Sequence, residues 1–255
     1  MKAFERREKI TNMLHREKKV LVAQLAVIFS VTEETIRRDL EKLEKDGILT
    51  RNHGGAVINI QNEDLPYRMR HTRKLEEKKA IAQTLLPLIQ ESSTIMADSS
   101  STVYESLHIL MIERNNLTVI SNSVNILQSI KHENHTVIST GGTLKDQTNS
   151  LSGVIARSSL LQYNVDIALI SCKGVSMQNG ITDSNEQEAE LKKVMSKQAN
   201  KTILLVDSSK FDHTGFIKMF NFHQIDYLIT DKKPDNDWIV FLENQNIIVL
   251  YPDKS

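Results

Sequence analysis

Residues 32 to 45 carry the pattern that most constrains how this chain folds. Ile36, Leu40 and Leu43 recur at i, i+4 and i+7, which places them in one apolar stripe along a helix. Thr32 precedes the stripe as a predicted N-cap, and two acidic residues follow it in the first turn, where they complement the helix dipole. One face of the helix therefore packs, while the opposite face is free to contact a ligand.

A second, shorter helix is predicted directly before this one. Residues 20 to 29 are almost entirely apolar, and they predict a short helix with Leu25 and Ile28 facing inward. Residues 30 and 31 then form a tight turn, which gives the spacing of a helix-turn-helix. Upstream, residues 3 to 15 predict a first helix that packs through Phe4, Ile10, Met13 and Leu14 and exposes Arg6, Arg7 and Lys9.

A β-hairpin is predicted after the amphipathic helix. Gly47 is a natural helix stop, and short strands are predicted at 48–51 and 56–60. Residues 52 to 55, Asn-His-Gly-Gly, join the strands, and the glycines allow the positive φ that a hairpin turn needs. A hairpin in this position predicts the wing of a winged helix-turn-helix, in which the helix enters the major groove of DNA.

The stretch IRRDLEKLEKDGILTRNHGGAV resembles the signature of the DeoR family of bacterial transcription regulators. That family carries a TIRRDL motif, a leucine-spaced helix and a terminal HGGA in its N-terminal winged helix-turn-helix. We expect Arg37 or Arg38 to reach a phosphate or a guanine edge, although Arg38 or Asp39 could instead form a structural pair. The predicted DNA contacts are Thr32, Glu34, Thr35, Arg37, Arg38, Arg51, His53 and Gly54.

Charge is divided unevenly along the 255 residues. Residues 1–80 hold 18 Lys and Arg against 13 Asp and Glu, and residues 81–255 hold 14 against 19, so the parts carry +5 and −5. Only the basic part suits DNA. We therefore predict a winged helix-turn-helix domain at 1–60, a linker at 61–74, and an α/β effector-sensing and oligomerisation domain at 75–255. In the linker, Glu63, Pro66, Tyr67 and Arg70 resemble the acidic, proline, aromatic and arginine cluster of DeoR proteins.

Composition argues against several other classes of protein. The single cysteine, Cys172, rules out an intramolecular disulfide framework, and no apolar run reaches the ~18 residues of a membrane span. The eight histidines are dispersed and Cys172 has no partner at ligand spacing, so we expect no metal and no cofactor. Cys172 and Trp238 are interpreted as packing residues, and we expect a cytoplasmic protein without a membrane partner.

From residue 93 onward, short apolar runs alternate with helical segments. Such continuously apolar runs are typical of strands buried on both faces, which predicts a mainly parallel sheet covered by helices. Strands are predicted at 94–97, 117–120, 136–139, 166–171, 202–206, 227–230 and 247–250, and helices near 101–111, 124–131, 153–161, 186–199 and 236–245.

Polar loops follow the first five of these strands. Because the carboxyl ends of parallel strands face a common crevice, the loops should converge, and their hydroxyls and helix N-termini suit a phosphate. Lys192 or Lys210 would supply a cation. Taken singly, Asp98 and Ser101 fit helix caps, residues 141 and 142 fit a turn, and Glu188 with Lys192 fits an exposed pair. The predicted effector site comprises Asp98, Ser99, Ser100, Ser101, Thr102, Ser121, Asn122, Gly141, Gly142, Lys173, Glu188, Lys192, Asp207 and Lys210.

The loops DSSST, SNS, TGG and DSSKF and the helix segment EAELK extend the resemblance over nearly the full length. DeoR regulators carry a C-terminal sensor domain similar to ribose-5-phosphate isomerase, with DSGTT-like, TNS-like, GG, EAxxK and DxSKF segments. Two positions depart from that pattern, because Ser100 replaces a glycine and Lys173 stands where small residues are common. The fold class implied is α/β, with a small winged helix-turn-helix domain and a larger sensor domain.

The leading hypothesis is a transcription regulator of sugar catabolism, a repressor that leaves its operator when a phosphorylated sugar binds. One such module binds DNA weakly, so a homodimer or homotetramer on a repeated operator is expected. The alternative is an enzyme, a sugar-phosphate isomerase or deaminase with a DNA-binding head. The isomerases' D-G-A-D-E motif is absent, since the chain has NVDIALIS around Asp166. A third interpretation makes the C-terminal domain an inert scaffold.

Overall fold

The computed structural model of the chain describes residues 2–45, 48–58, 67–129 and 134–252, without the side chains of residues 8, 12, 15, 16 and 58. The chain divides into an N-terminal unit, Met1–Arg70, and a C-terminal unit, His71–Ser255. The division falls within the stretch predicted as a linker. Several sequence predictions lie outside the described residues: the stop at Gly47, strand residues 59–60, linker residues 61–66 and helix residues 130–131.

The N-terminal unit has the element order of a winged helix-turn-helix. Its sheet has the order β1-β3-β2 and is antiparallel, so β2 and β3 form the predicted hairpin. The described elements are α1 (Ala3–Glu17), β1 (Lys19–Leu21), α2 (Val22–Phe29), α3 (Glu33–Lys45), β2 (Leu49–Asn52), β3 (Gly55–Ile58) and α4 (Tyr67–Thr72), the last of which crosses into the C-terminal unit.

The core of the N-terminal unit forms where the helical periodicity placed it, with a few exceptions. The predicted stripe is confirmed, since all three of its residues are at most 2% exposed. Phe4 and Ile28, predicted to pack, are 57% and 55% exposed. The prediction of one helix from residue 20 onward is wrong. Val20 and Leu21 pair with β3, and the buried face of α2 is formed by residues 22 and 25. Arg6, predicted to be exposed, is buried because it pairs with an aspartate of α3.

The C-terminal unit is built on a seven-stranded parallel sheet, as predicted. Its strand order is β15-β14-β12-β9-β4-β5-β6. The described elements are α5 (Leu75–Leu85), β4 (Thr94–Ala97), α6 (Ser101–Glu113), β5 (Thr118–Ser121), α7 (Val124–Ser129), β6 (Thr136–Ser139), β7 (Thr143–Lys145), β8 (Ser150–Ser152), α8 (Val154–Leu160), β9 (Val165–Ser171), β10 (Gly174–Ser176), β11 (Gly180–Asp183), α9 (Glu186–Lys197), β12 (Ala199–Leu205), β13 (Ile217–Phe220), β14 (Tyr227–Ile229), α10 (Asn236–Asn244) and β15 (Ile248–Leu250).

Two small sheets accompany the large one, and the sequence did not predict them. One is the hairpin β7-β8, and the other has the order β10-β11-β13. Apolar side chains fill both faces of the large sheet. Trp238 is 3% exposed and packs edge-on against Phe211 and Phe222, and burial raises the pKa of the Cys172 thiol to about 12. Both residues are therefore packing residues, and the thiol stays protonated.

The strand order defines where a ligand site belongs. Strands β4, β5 and β6 run outward to one side, and β9, β12, β14 and β15 run to the other, so the order reverses between β4 and β9. In open parallel sheets, ligands bind in the crevice outside the carboxyl ends of the strands at such a reversal. We call this place the crevice.

Two kinds of feature are absent from the described part of the chain. None of its helices is both long and apolar enough to cross a membrane. Likewise, these residues contain no group of three His, Cys, Asp or Glu side chains arranged to hold a metal ion.

Candidate DNA-contact surface and effector site

Arg37 and Arg38 project from the outer face of α3. Their side chains are 57% and 79% exposed, and they pair with Glu33 at 2.8 Å and Glu34 at 3.4 Å, each one turn earlier. Exposed pairs of this kind stabilise a protein by only about 0 to 1 kcal/mol. A DNA phosphate or guanine edge can therefore displace either carboxylate at little cost.

Asp39, the next residue, points the other way. It is 3% exposed and accepts from Arg6 Nε at 2.5 Å and from Arg7 Nη1 at 3.3 Å. The structural pair foreseen for Arg38 or Asp39 thus belongs to Asp39, and its partners lie on α1. This buried pair fixes α3 against α1 and leaves both arginines of α3 outside.

The start of α3 is closed by two threonines. The Thr35 amide donates to Thr32 Oγ1 at 3.3 Å, and the two hydroxyl oxygens lie 2.9 Å apart. Thr32 therefore acts as the N-cap that the sequence predicted, while Glu34 on the same turn is exposed. Both threonines sit at the end of the helix that would enter the groove.

The wing is held to α3 by Glu44, which sequence reasoning missed. The Arg51 amide donates to Glu44 Oε1 at 2.8 Å, and Arg51 Nε donates to Oε2 at 2.7 Å. These bonds lower the pKa of Glu44 and raise that of Arg51. His53 and Gly54 are exposed at the tip, where Gly54 has φ +86. A Cβ on Gly55 would lie 2.1 Å from the Val20 carbonyl oxygen, so only glycine fits there.

In the crevice, Lys192 is surrounded by acceptors from three elements. Its Nζ donates to Asp183 Oδ2 at 2.5 Å and to the Ser171 carbonyl at 2.9 Å, and lies 3.2 Å from Asp98 Oδ2. Burial alone would lower the pKa of Lys192, but Asp183 and Asp98 outweigh it and hold that pKa well above its ordinary value. Lys192 therefore joins the ends of β4, β9 and β11 within the crevice.

Glu188, one turn before Lys192, is the centre of a second cluster. This buried carboxylate accepts from Ser99 Oγ at 2.9 Å, from Ser150 Oγ at 2.5 Å and from Asn122 Nδ2 at 3.3 Å. Asn122 Nδ2 also donates to the Leu151 carbonyl at 3.2 Å, so the orientation of the amide is fixed by two acceptors. Asn122 Oδ1 is buried with no hydrogen-bond partner among the described residues.

Lys210 is the more accessible cation of the crevice. Its side chain is 21% exposed, and Nζ donates to Ser171 Oγ at 3.0 Å and lies 3.8 Å from Asp207 Oδ2. Asp207 also accepts from the backbone amide and hydroxyl of Ser209. Burial alone would raise the pKa of Asp207, but Lys210, Ser209 and Lys74 outweigh it and leave that pKa below its ordinary value. Asp207 is therefore ionised at neutral pH.

The remaining predicted effector residues shape the loops. Ser100 is the N-cap of α6, since its hydroxyl accepts from the Val103 amide at 3.3 Å, and Ser101 and Thr102 are buried in the first turn. Ser121 Oγ donates to the Ala97 carbonyl at 2.7 Å, which joins the ends of β4 and β5. These hydroxyls therefore hold the loops in place.

Three more predicted residues lie in the loops that follow β6 and β9. Gly141 and Gly142 have φ values of +62 and +110, and a Cβ on Gly142 would lie 2.5 Å from the Ser152 carbonyl oxygen. Lys173 donates its backbone amide to the Thr182 carbonyl at 2.9 Å, at the start of the small three-stranded sheet. Direct hydrogen bonds thus connect the ends of β4, β5, β9 and β12. The Thr140 amide, just before the two glycines after β6, donates to the Ser121 carbonyl at 3.2 Å and so connects their loop to the end of β5.

Both units match models of known protein families. A family model described as the DeoR-like helix-turn-helix domain matches residues 6–62, and one described as the DeoR C-terminal sensor domain matches residues 73–232. The chain belongs to the DeoR family. Its sequence resemblance to that family is confirmed over both units.

Relatives of this DeoR-family chain match it along almost its whole length. The transcriptional regulator YulB of Bacillus subtilis is 40% identical over 98% of this chain and 96% of its own. The L-fucose operon activator of Haemophilus influenzae is 33% identical over 91% and 93%. The glycerol-3-phosphate regulon repressor of Escherichia coli is 26% identical over 92% and 93%. Among solved structures, a D-ribose-5-phosphate isomerase in complex with phospho-erythronic acid is 20% identical over 53% of each chain, with a TM-score of 0.40.

Sequence reasoning missed several residues of this DeoR-family crevice. Asp183 and Ser150 contact Lys192 and Glu188 directly, and Ser171 connects Lys192 with Lys210. Ser150 and Asp183 lie in short strands of the two small sheets, which showed no periodicity. Ser171 ends a predicted strand, and the carboxyl-end rule that selected the neighbouring Lys173 would have reached it.

Proposed function

We propose that this DeoR-family chain represses a sugar-catabolism operon and releases its operator when a phosphorylated sugar binds in the crevice. One observation carries the proposal: at the reversal of the sheet, a helix N-terminus and a partly exposed lysine lie beside buried acceptors. The lysine and the helix N-terminus at one end of such a site suit a phosphate, and the hydrogen-bond acceptors at the other end suit hydroxyl groups. We place the protein in the cytoplasm, where operators and sugar phosphates meet.

The phosphate end is assigned to α6 and Lys210. Helix α6 is 13 residues long, and its N-terminus follows β4 after residues 98–100, so its dipole favours an anion there. Lys210 reaches the same strand ends through Ser171. Because Lys192 is buried and already contacts acceptors of the protein, we propose Lys210 as the cation for the phosphate.

The sugar end is assigned to Asn122 and Glu188. An unpaired buried acceptor costs about 1 to 3 kcal/mol, and a hydroxyl of a ligand would relieve that cost at Asn122 Oδ1. Glu188 binds only neutral donors in the hydrogen bonds described, and a carboxylate also accepts further hydroxyls. We therefore favour a phosphorylated polyol or sugar over inorganic phosphate.

We propose that Arg37 and Arg38 reach the major groove and that Arg51 and His53 reach the backbone or the minor groove. A single module of this size binds weakly, so the functional species is a homodimer or homotetramer on a repeated operator.

An enzyme is the second candidate, favoured by the four buried carboxylates of the crevice, which belong to Asp98, Asp183, Glu188 and Asp207. Two of them, Asp98 and Asp183, are both paired with Lys192, which removes them as acid and base. Asp166 is the acidic residue in the segment where the isomerase motif would be expected. Its carboxylate accepts from the amide and hydroxyl of Thr94, at the amino ends of β9 and β4 and so at the opposite edge of the sheet from the crevice. We propose a regulator without catalysis. Turnover of ribose 5-phosphate that is lost in Asp98→Ala would contradict this.

The sensor half is tested by thermal shift with ribose 5-phosphate, glucosamine 6-phosphate, glycerol 3-phosphate and the unphosphorylated parents. We expect at least one phosphorylated compound to raise Tm by about 5 to 10 °C when present at 100 times its Kd. Its parent should not. Lys210→Gln should reduce the shift, whereas Lys233→Gln, which changes an exposed lysine of the same unit, should leave it unchanged. An inert scaffold would show no shift with any compound.

A further inference from the structure

Asp207 is shared between two lysines that belong to different parts of the C-terminal unit. Lys210 Nζ lies 3.8 Å from Oδ2 on the crevice side, and Lys74 Nζ lies 3.5 Å from Oδ1. The Asp207 side chain is 6% exposed, so these two cations are its main counter-charges in a poorly solvated place. A ligand that draws Lys210 away from Asp207 therefore strengthens the electrostatic attraction between Asp207 and Lys74.

Lys74 lies in the segment from His71 to Lys78, which we call the connector. Lys74 has φ +55 and begins the turn into α5, and buried Lys78 fixes that turn by donating to the Arg73 carbonyl at 2.7 Å and the His71 carbonyl at 3.3 Å. The conformation of the connector is thus fixed by specific hydrogen bonds. A displacement of Lys74 would therefore move the backbone of the neighbouring residues.

The connector touches the same two elements that we assign to the phosphate. His71 Nδ1 lies 3.2 Å from Glu105 Oε1, on α6, while Lys74 reaches Asp207 after β12. At its other end, the connector continues helix α4, whose Met69 belongs to the N-terminal unit and packs against the core of that unit. The connector is therefore joined covalently, through one short helix, to the DNA-contact unit.

We propose that Lys74 is the positioning residue through which effector binding weakens DNA binding. When a phosphate draws Lys210 to itself, Asp207 is left with Lys74 as its counter-ion, and the connector shifts toward the end of β12. Because α4 joins the connector to the N-terminal unit, this shift lowers the affinity for the operator. The proposal rests on the proposed function, and it adds how effector binding in the crevice would change operator affinity.

The coupling is tested without any effector by a double-mutant cycle. Lys210→Gln removes the competing cation and so imitates the occupied crevice. DNA affinity is measured by fluorescence anisotropy on a duplex selected from random DNA with the wild-type protein. We expect Lys210→Gln to weaken binding by roughly 5- to 150-fold, the usual range of allosteric coupling. Lys74→Gln alone should stay within about twofold of wild type, and the double variant should return to that level.

Two further variants sharpen the cycle. Lys79→Gln changes a lysine of α5, the helix that begins after Lys74. Lys79 pairs with Glu76 at the surface, so this variant should not rescue Lys210→Gln. Lys74→Arg keeps the charge, so the variant Lys74→Arg with Lys210→Gln should remain weak. An unchanged affinity in Lys210→Gln, or a double variant as weak as Lys210→Gln, would overturn the proposal. The effector assignment fails separately, if no phosphorylated sugar raises Tm.

Discussion

Replacing Lys192 with methionine is expected to lower the free energy of unfolding of the C-terminal unit by about 3 to 5 kcal/mol. The ammonium is the counter-charge of both Asp98 and Asp183, whose side chains are 1% and 9% exposed. Without it, two carboxylates remain buried at the centre of the crevice. For a unit of this size, the destabilisation corresponds to a decrease in Tm of roughly 6 to 20 °C, measured by calorimetry.

Lys193→Met is the matched control for this variant. Lys193 is the next residue of α9, but its side chain is 33% exposed and pairs with Glu190 at the surface. Its replacement should cost less than about 1 kcal/mol. If Lys192→Met melts no lower than Lys193→Met, the crevice is not organised by Lys192, and Lys192 becomes available as a phosphate-binding cation again.

The double substitution Arg37→Ala with Arg38→Ala is expected to weaken operator binding at least about thirtyfold. A good base contact contributes about 1 to 3 kcal/mol, so removing two of them costs at least about 2 kcal/mol. For each phosphate that is no longer neutralised, the slope of log affinity against log salt should also become shallower by about 0.9. Tm should change little, because the partners of both arginines are exposed. Anisotropy titrations at several salt concentrations measure both effects.

Lys232→Ala with Lys233→Ala is the matched control for charge. It removes two adjacent exposed cations from the C-terminal unit and should leave operator affinity nearly unchanged. An equal decrease in affinity in both double variants would show that only overall charge matters. An unchanged affinity in the arginine variant would remove α3 as the recognition helix.

The sequence predicted the parts of the fold that depend on local patterns. Buried parallel strands are continuously apolar, so all seven strands of the large sheet were placed within a few residues. The apolar stripe of α3 likewise predicted which face would carry Arg37 and Arg38. Predictions failed where a pattern was too short, as with Ile28 on a helix of 8 residues.

Contacts between residues far apart in the chain could not be predicted. Asp39 pairs with Arg6, which lies 33 residues away in the sequence, and Asp98 accepts from the Ser171 amide, which lies 73 residues away. The same limit applies to the surroundings of Lys192. Its spacing on α9 predicts the helix face, whereas its contacts with Asp183 and Asp98 depend on the folded sheet, which brings the three residues together.

The most direct test of the central claim is the effect of sugar phosphates on the complex of this protein with its selected operator duplex. The account predicts that at least one phosphorylated sugar lowers operator affinity by roughly 5- to 150-fold, while its unphosphorylated parent leaves it unchanged. If every sugar phosphate that raises Tm leaves operator affinity unchanged, binding in the crevice does not control DNA binding, and the account is contradicted.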